Sequence, residues 1–334
     1  MNQQKIAKIY LFGLVLAFVV ITLGAYVRLS DAGLGCPDWP GCYGQVVVPG
    51  DATEVGHLYP DRPLEQVKAW KEMIHRYAAG TLGLVILFLA VCGWKYRQLS
   101  GLSPVIPTLL LLMVIFQALL GMWTVTLLLK PVIVMGHLLG GMTILSLLFW
   151  QYLAHTRTGV NVDVNKLRFY PWVVAGICLL VLQISLGGWT SSNYAALACP
   201  DFPQCHGSWW PAMNFDEGFV LWHRAGIDYE GGILPGDARM AIHVIHRIGA
   251  LLVFLYLGIL AIRLIKSHIP ELTRTGVIMV ILLLLQISLG VSNVLLRLPL
   301  PVAVAHNGTA ALLLLSLVAL LFQTRRKIII RRSF

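Results

Sequence analysis

The stretch Pro131-Val-Ile-Val-Met-Gly-His-Leu-Leu-Gly-Gly-Met-Thr-Ile-Leu-Ser-Leu-Leu-Phe-Trp-Gln-Tyr152 runs for 22 residues without an aspartate, glutamate, lysine or arginine. At about 1.5 Å per residue, a helix of that length crosses the roughly 30 Å of hydrocarbon in a bilayer. Seven further apolar runs read the same way, at residues 9–27, 77–94, 104–129, 169–191, 240–262, 275–296 and 298–324, with Arg247 as their one charge. The composition agrees: of 334 residues 57% are hydrophobic and 12% charged, with a mean hydropathy of +0.77. A soluble enzyme, a secreted disulfide scaffold and a disordered chain are excluded. The reading is an all-α integral membrane protein of eight transmembrane helices.

Charge sets the expected orientation. The run at 9–27 follows Lys5 and Lys8 as a signal peptide would, but no small-x-small cleavage site follows it, so it reads as a retained helix. Fifteen of the 25 basic residues then fall on the side of the two termini: Lys5, Lys8, Lys95, Arg97, Arg157, Lys166, Arg168, Arg263, Lys266, Arg274, Arg325, Arg326, Lys327, Arg331 and Arg332. Of the acids, only Asp163 and Glu271 lie there. Both termini are expected in the cytoplasm, with an inner (cytoplasmic) membrane location and the long loops outside. The net charge of +10 is carried at helix ends, where anionic headgroups account for it. The implied partner is the lipid bilayer and not nucleic acid.

The second half of the chain repeats the first. Cys36-Pro-Asp-Trp-Pro-Gly-Cys42 recurs as Cys199-Pro-Asp-Phe-Pro-Gln-Cys205, Ile74-His75-Arg76 as Ile245-His246-Arg247, residues 117–121 as 286–290, and His137 as His306. The offsets stay between 163 and 171, and the order is kept. Duplication of a four-helix unit leaves this pattern, and an even number of helices puts both copies in one orientation. Two pseudo-symmetric four-helix bundles follow, at residues 1–158 and 159–334, joined by the polar stretch 156–166 and carrying long outer loops at 29–71 and 192–239.

Four of the six cysteines lie in those outer loops. In an oxidising compartment they read as disulfides, structural or redox-active. Of three possible pairings, Cys36 with Cys42 and Cys199 with Cys205 close the shortest loops and treat both copies alike. A metal site is the alternative reading of the same residues. Cys92 and Cys178 fall in apolar runs and read as core residues.

Four of the ten histidines, His75, His137, His246 and His306, sit about two turns inside the outer ends of the second and fourth helix of each repeat. Two imidazoles at matching depth on two helices of a bundle are what a porphyrin iron needs from its two faces. Gly80, Gly83, Gly121, Gly140, Gly141, Gly249 and Gly290 are small enough to admit a flat macrocycle nearby. No carboxylate or thiolate cluster accompanies the pairs in the membrane, so the metal expected is haem iron only. His57, His206 and His223 in outer loops, and His155 and His268 on the inner side, read as solvated. His243 lies one helical turn before His246, where the first repeat has Glu72. It reads either as a gating or proton-transfer group or as an interfacial residue. Arg76 and Arg247 follow the helix-two histidines, placed to meet a haem propionate or to anchor the helix at the interface.

These residues together resemble the haem A synthase family, whose members oxidise a methyl group of haem O to the formyl group of haem A for cytochrome oxidase assembly. The resemblance rests on Glu72-Met-Ile-His75-Arg76, His137, His246-Arg247, His306 and the paired loop cysteines, and it covers essentially the whole chain. It implies a haem b cofactor on His246 and His306 in the C-terminal bundle. The haem O substrate is implied near His75 and His137 in the N-terminal bundle, with Glu72 as the functionally important acid. It also implies an electron acceptor of unknown identity, and haem O synthase and cytochrome oxidase assembly factors as partners. A di-haem electron-transfer protein would instead carry two equivalent sites, and a haem transport or assembly scaffold two weak ones. The difference between Glu72 and His243 favours the enzyme.

Overall fold

The computed structural model describes residues 3–60, 62–97, 103–156, 164–222 and 226–325. His223, Arg157, Asp163, Arg326, Lys327, Arg331, Arg332 and the boundary between residues 158 and 159 lie outside them. Eight long helices account for most of the chain: α1 (Gln3–Leu29), α2 (Gln66–Lys95), α3 (Val105–Thr126), α4 (Pro131–Thr156), α5 (Tyr170–Ser192), α6 (Gly236–Ile265), α7 (Pro270–Leu295) and α8 (Leu300–Thr324). All eight are long and apolar enough to cross a membrane. Among the described residues no strand forms, only two isolated bridges, Cys42 with Gln45 and Cys205 with Ser208.

The expected spans are present with one systematic difference. Helices α2 and α6 begin at Gln66 and Gly236, earlier than the apolar runs at 77–94 and 240–262. Their first two turns carry Lys68, Lys71 and Glu72 in α2 and Asp237 and Arg239 in α6, so hydropathy does not mark them although the backbone is already helical. Prolines at the first turns of α5, α7 and α8 start those helices where a missing N–H costs nothing.

Helices α1 to α4 pack among themselves, as do α5 to α8, and the two groups meet through α1, α4, α5 and α8. One buried apolar cluster, including Tyr10, Leu145, Leu257 and Leu317, runs through both. Because lipid is as apolar as leucine, close approach rather than water exclusion holds such helices together. Gly276 shows it: a Cβ built there would stand 2.9 Å from the Ala261 carbonyl oxygen, so only glycine lets α7 lie this close to α6. Cys92 is buried, but Cys178, expected in the core, is exposed on α5. His155 departs from its solvated reading too. It is half-buried, its ring 4.9 Å from that of Tyr10 and its Nδ1 2.7 Å from the Gln151 carbonyl.

The long loops on one face carry two disulfides, Cys36–Cys42 and Cys199–Cys205, with Cα separations of 4.8 and 4.7 Å. Both are built alike. Asp38 accepts from the N–H groups of Tyr43 and Gly44, and Asp201 from those of His206 and Gly207. The Gly207 and His206 amides hold the Asp201 carboxyl below its ordinary range. Left-handed backbone recurs at matching places, at Asp31 and Tyr194, Tyr43 and His206, and the bends Leu128–Leu129 and Arg297–Leu298. Non-reducing peptide mapping is expected to recover the two local cysteine pairs and no crossed pair. Replacing Cys199 and Cys205 by serine is expected to cost about 2 kcal/mol, the loop-closure entropy of so short a ring; a denaturant midpoint measures it.

The second loop also straps the first half. Arg62 meets Glu230 at 3.0 Å and Asp228 at 2.5 Å, the Tyr229 N–H donates to the Leu128 carbonyl, and the Lys130 ammonium lies 3.4 Å from the Trp222 ring centroid. Between the groups, Arg28 of α1 donates to the Ser191 carbonyl of α5 at 2.7 Å and stacks on Tyr194.

Candidate functional site: two histidine pairs under disulfide loops

In each group of four helices the structure brings the two expected histidines together. His75 on α2 and His137 on α4 lie close enough to interact electrostatically, and so do His246 on α6 and His306 on α8. Each ring rests on a glycine of a neighbouring helix. A Cβ built at Gly24, Gly121, Gly187 or Gly290 would stand 3.0, 3.5, 3.2 or 3.1 Å from the Cε1 of His75, His137, His246 or His306 respectively. At Gly24, Gly187 and Gly290 a side chain would press on the imidazole, whereas at Gly121 a Cβ would only touch it. Of these four glycines the sequence reading named only Gly121 and Gly290. Gly80 and Gly83, named there as room for a macrocycle, have no neighbour within 4 Å of a built Cβ. Gly140 and Gly249 instead make room for glutamine amides, of Gln117 and Gln183.

The sequence reading noted Gln117 and Gln286 only as repeat landmarks and missed Gln183 and the place of these amides beside the histidines. Gln183 Nε2 lies 3.0 Å from His246 Nδ1 and donates to the His246 carbonyl at 3.0 Å, while Gln286 Nε2 lies 3.2 Å from His306 Nε2. The available signal was an uncharged polar residue in the middle of an apolar run, one turn before the glycine that seats a histidine of the next helix. Nδ1 of His75, His137 and His306 is covered by protein and makes no hydrogen bond. Covered imidazoles on glycine seats, two to a bundle, are a donor set that suits an iron held between two axial nitrogens in a flat macrocycle. Among the described residues no three His, Cys, Asp or Glu side chains gather as a bare-metal site.

Directly beside each pair, a disulfide loop is tied to the helix by an equivalent set of contacts. Glu72 is 5% exposed; its Oε2 accepts from the Cys36 N–H at 2.9 Å and its Oε1 from Arg76 Nη2 at 2.6 Å. In the other half His243 is 4% exposed, with Nδ1 3.3 Å from the Cys199 nitrogen and Nε2 3.2 Å from Arg247 Nε. A neutral imidazole accepts at only one of these nitrogens, whereas a carboxylate accepts at both. The arginines complete the tie. Arg76 donates to the carbonyls of Asp38, Pro40 and Gly41, and Arg247 to those of Cys199, Asp201, Pro203 and Gln204. Their guanidinium N–H groups are therefore engaged by the loops.

His57, His206 and His268 are exposed, apart from the two histidine pairs. A Nε2 contact of 3.0 Å ties His206 to the Ala198 carbonyl.

Eight spanning helices with a half-buried histidine pair in each half define a multi-pass membrane protein. Comparison with known proteins gives the family: residues 7–318 match the COX15-CtaA model, described as cytochrome oxidase assembly protein, and the chain belongs to that family. It is 47% identical to the heme A synthase of Shewanella oneidensis over 312 residues, 92% of this chain and 93% of that protein. The heme A synthases of Halalkalibacterium halodurans and Alkalihalophilus pseudofirmus are 28% and 25% identical, over 90% and 86% of this chain and the same shares of their own.

Proposed function

We propose that this chain is a haem A synthase, oxidising a methyl group of haem O to the formyl group of haem A. The observation that carries the reading is that two similar histidine sites differ at the buried position that ties the disulfide loop, Glu72 in one and His243 in the other. An electron-transfer protein has no use for that difference; an enzyme with one substrate site and one cofactor site does. The relatives that share nine-tenths of the chain carry the same name.

On this reading the half comprising residues 159–334 holds haem b through His246 and His306, and that haem supplies one-electron redox chemistry. The half comprising residues 1–158 takes haem O as substrate between His75 and His137. Conversion of methyl to formyl removes four electrons and adds one oxygen, passing through an alcohol and a hydrated aldehyde that loses water. The electrons go to an acceptor outside this chain. Glu72 is the group assigned to orient the attacking water or take its proton. Arg76 and Arg247 reach a propionate only by releasing a loop carbonyl, so their part in haem binding is coupled to the loops. The protein lies in the cytoplasmic membrane with both termini inside and the cysteine loops outside, next to the haem O synthase and oxidase assembly factors that its substrate and product imply.

Co-expression with a haem O source, followed by acid-acetone extraction and chromatography, tests the reading. New haem A is expected with this chain and none without it. Unaltered haem O in both extracts would sink the proposal.

A further inference from the structure

Both disulfide loops carry an exposed apolar tip, at the same places in the repeat. Val46 and Val47 follow Cys42, and 163 residues later Trp209 and Trp210 follow Cys205. The two valines are 78% and 54% exposed, and the two tryptophans 71% and 64%. Between the cysteines of each loop stands one more exposed ring, Trp39 or Phe202. Residues 39–50 and 202–215 contain no aspartate, glutamate, lysine or arginine. Apolar surface of this kind, repeated and free of charge, needs something other than water against it.

Helix α2 shows how deep the tips lie. Trp70, Ile74, Tyr77, Leu84, Phe88 and Trp94 are exposed along one stripe of it. From Trp70 to Trp94 that stripe runs about 36 Å, slightly more than the roughly 30 Å of hydrocarbon in a bilayer. Two exposed tryptophans so far apart match the two headgroup levels. Tyr77 is then about 10 Å inward of Trp70, and its hydroxyl donates to the Val46 carbonyl at 2.6 Å. Because a helical side chain leans toward the helix start, the tyrosine reaches back outward to that carbonyl. The first tip thus lies beside the lipid-facing stripe, level with the border between headgroups and acyl chains. In the second half Ile248, also exposed, holds the place of Tyr77.

We infer that the two disulfide loops are membrane anchors, with their tips inserted at the headgroup–acyl border of the leaflet on their side. A bilayer surrounds the protein and meets both halves, which is why the feature recurs; a single docked protein would call for one tip. Irregular backbone at that level has to find its hydrogen bonds within the protein. Both loops do so. Cys42 and Gln45 exchange N–H···O bonds, and so do Cys205 and Ser208. Asp38 and Asp201 accept from the next two N–H groups of their loops. Arg76 and Arg247 donate to the loop carbonyls, from Asp38 to Gly41 and from Cys199 to Gln204. The charges of each tie therefore face loop backbone, and the apolar side chains are left to face lipid. Tryptophan, amphipathic and flat, is suited to the headgroup level.

The test uses the full-length protein in phosphatidylcholine nanodiscs and two diazirine reagents that release the same carbene. One is apolar and stays in the lipid; the other is charged and stays in water. Peptide mass spectrometry reads the label at each residue, and the ratio of the two reagents cancels differences in side-chain reactivity. Residues 46, 47, 209 and 210 are expected to favour the apolar reagent by about tenfold or more, as an apolar molecule leaves water for lipid. Leu84 and Leu251, exposed on α2 and α6, set the lipid reference, and the half-exposed Glu65 at the outer start of α2 sets the aqueous one. A preference for the charged reagent at the tips would overturn the inference and leave them open to a soluble partner. Tips closed to both reagents would overturn it in favour of a second copy packed on them, which the mass of the loaded nanodisc would show. Lipid labelling in one loop alone would overturn the shared role.

Discussion

Purified protein carrying His246→Ala or His306→Ala is expected to lose the low-spin haem b spectrum or convert it to high spin, whereas His75→Ala is expected to leave it in place. Each of the two histidines is assigned as an iron ligand, so alanine removes a ligand outright rather than tuning one. The effect must exceed the roughly 10- to 100-fold that loss of an outer-shell partner costs. Each ring makes a single side-chain hydrogen bond, His246 Nδ1 with Gln183 and His306 Nε2 with Gln286, so its loss costs the fold little. The helices are held by their buried leucines and small-residue contacts, among them Leu257, Leu317 and Gly276, none of which these changes touch. Circular dichroism should therefore be unchanged while the Soret band collapses. An unchanged spectrum in both single variants would remove the haem from this site.

How much of this was legible beforehand follows from what each residue must satisfy. The eight spans were legible because a bilayer leaves a backbone no choice but to close its hydrogen bonds within a helix, and only apolar side chains are tolerated around it. That same rule hides the rest. Both faces of such a helix are apolar, so composition does not tell a lipid-facing Cys178 from a buried Cys92. Where α2 and α6 extend past the hydrocarbon, their polar first turns read as loop. The histidine pairs and loop cysteines stood out because they recur at one offset and their residue types are costly in lipid. Gln183 did not, since its meaning lies in a contact with a helix 63 residues away and its counterpart is an unremarked valine. The strap from Arg62 to Asp228 and Glu230 is equally silent, as loop charges 166 and 168 residues apart leave no periodic trace.

Glu72→Gln is expected to lower haem A formation by roughly 10²- to 10⁴-fold, the range for a positioned acid or base, with haem O or its hydroxylated intermediate accumulating in the extract. The competing explanation is structural, and the geometry makes it a serious one. Both carboxylate oxygens are already engaged, by the Cys36 N–H and by Arg76, and His243 ties the other disulfide loop from the same position. A loop tie alone, however, does not need a carboxylate, since the second half manages with an imidazole. What a carboxylate adds is a second acceptor at each oxygen and a negative charge one helical turn from His75, next to the substrate's expected edge. The glutamine variant separates the two roles. Its amide oxygen still accepts from Cys36, and the lost charge costs the Arg76 contact about 2 kcal/mol. The loop nevertheless stays held by its disulfide and by Arg76 on three carbonyls. Arg76→Ala supplies the comparison, because it releases the loop and leaves the carboxylate. If Glu72 is the proton acceptor, Glu72→Gln keeps the loop resistant to protease and the second-site haem spectrum intact while product formation stops. Wild-type haem A in Glu72→Gln, or a loss accompanied by the same loop cleavage as in Arg76→Ala, would make this carboxylate a loop anchor and nothing more.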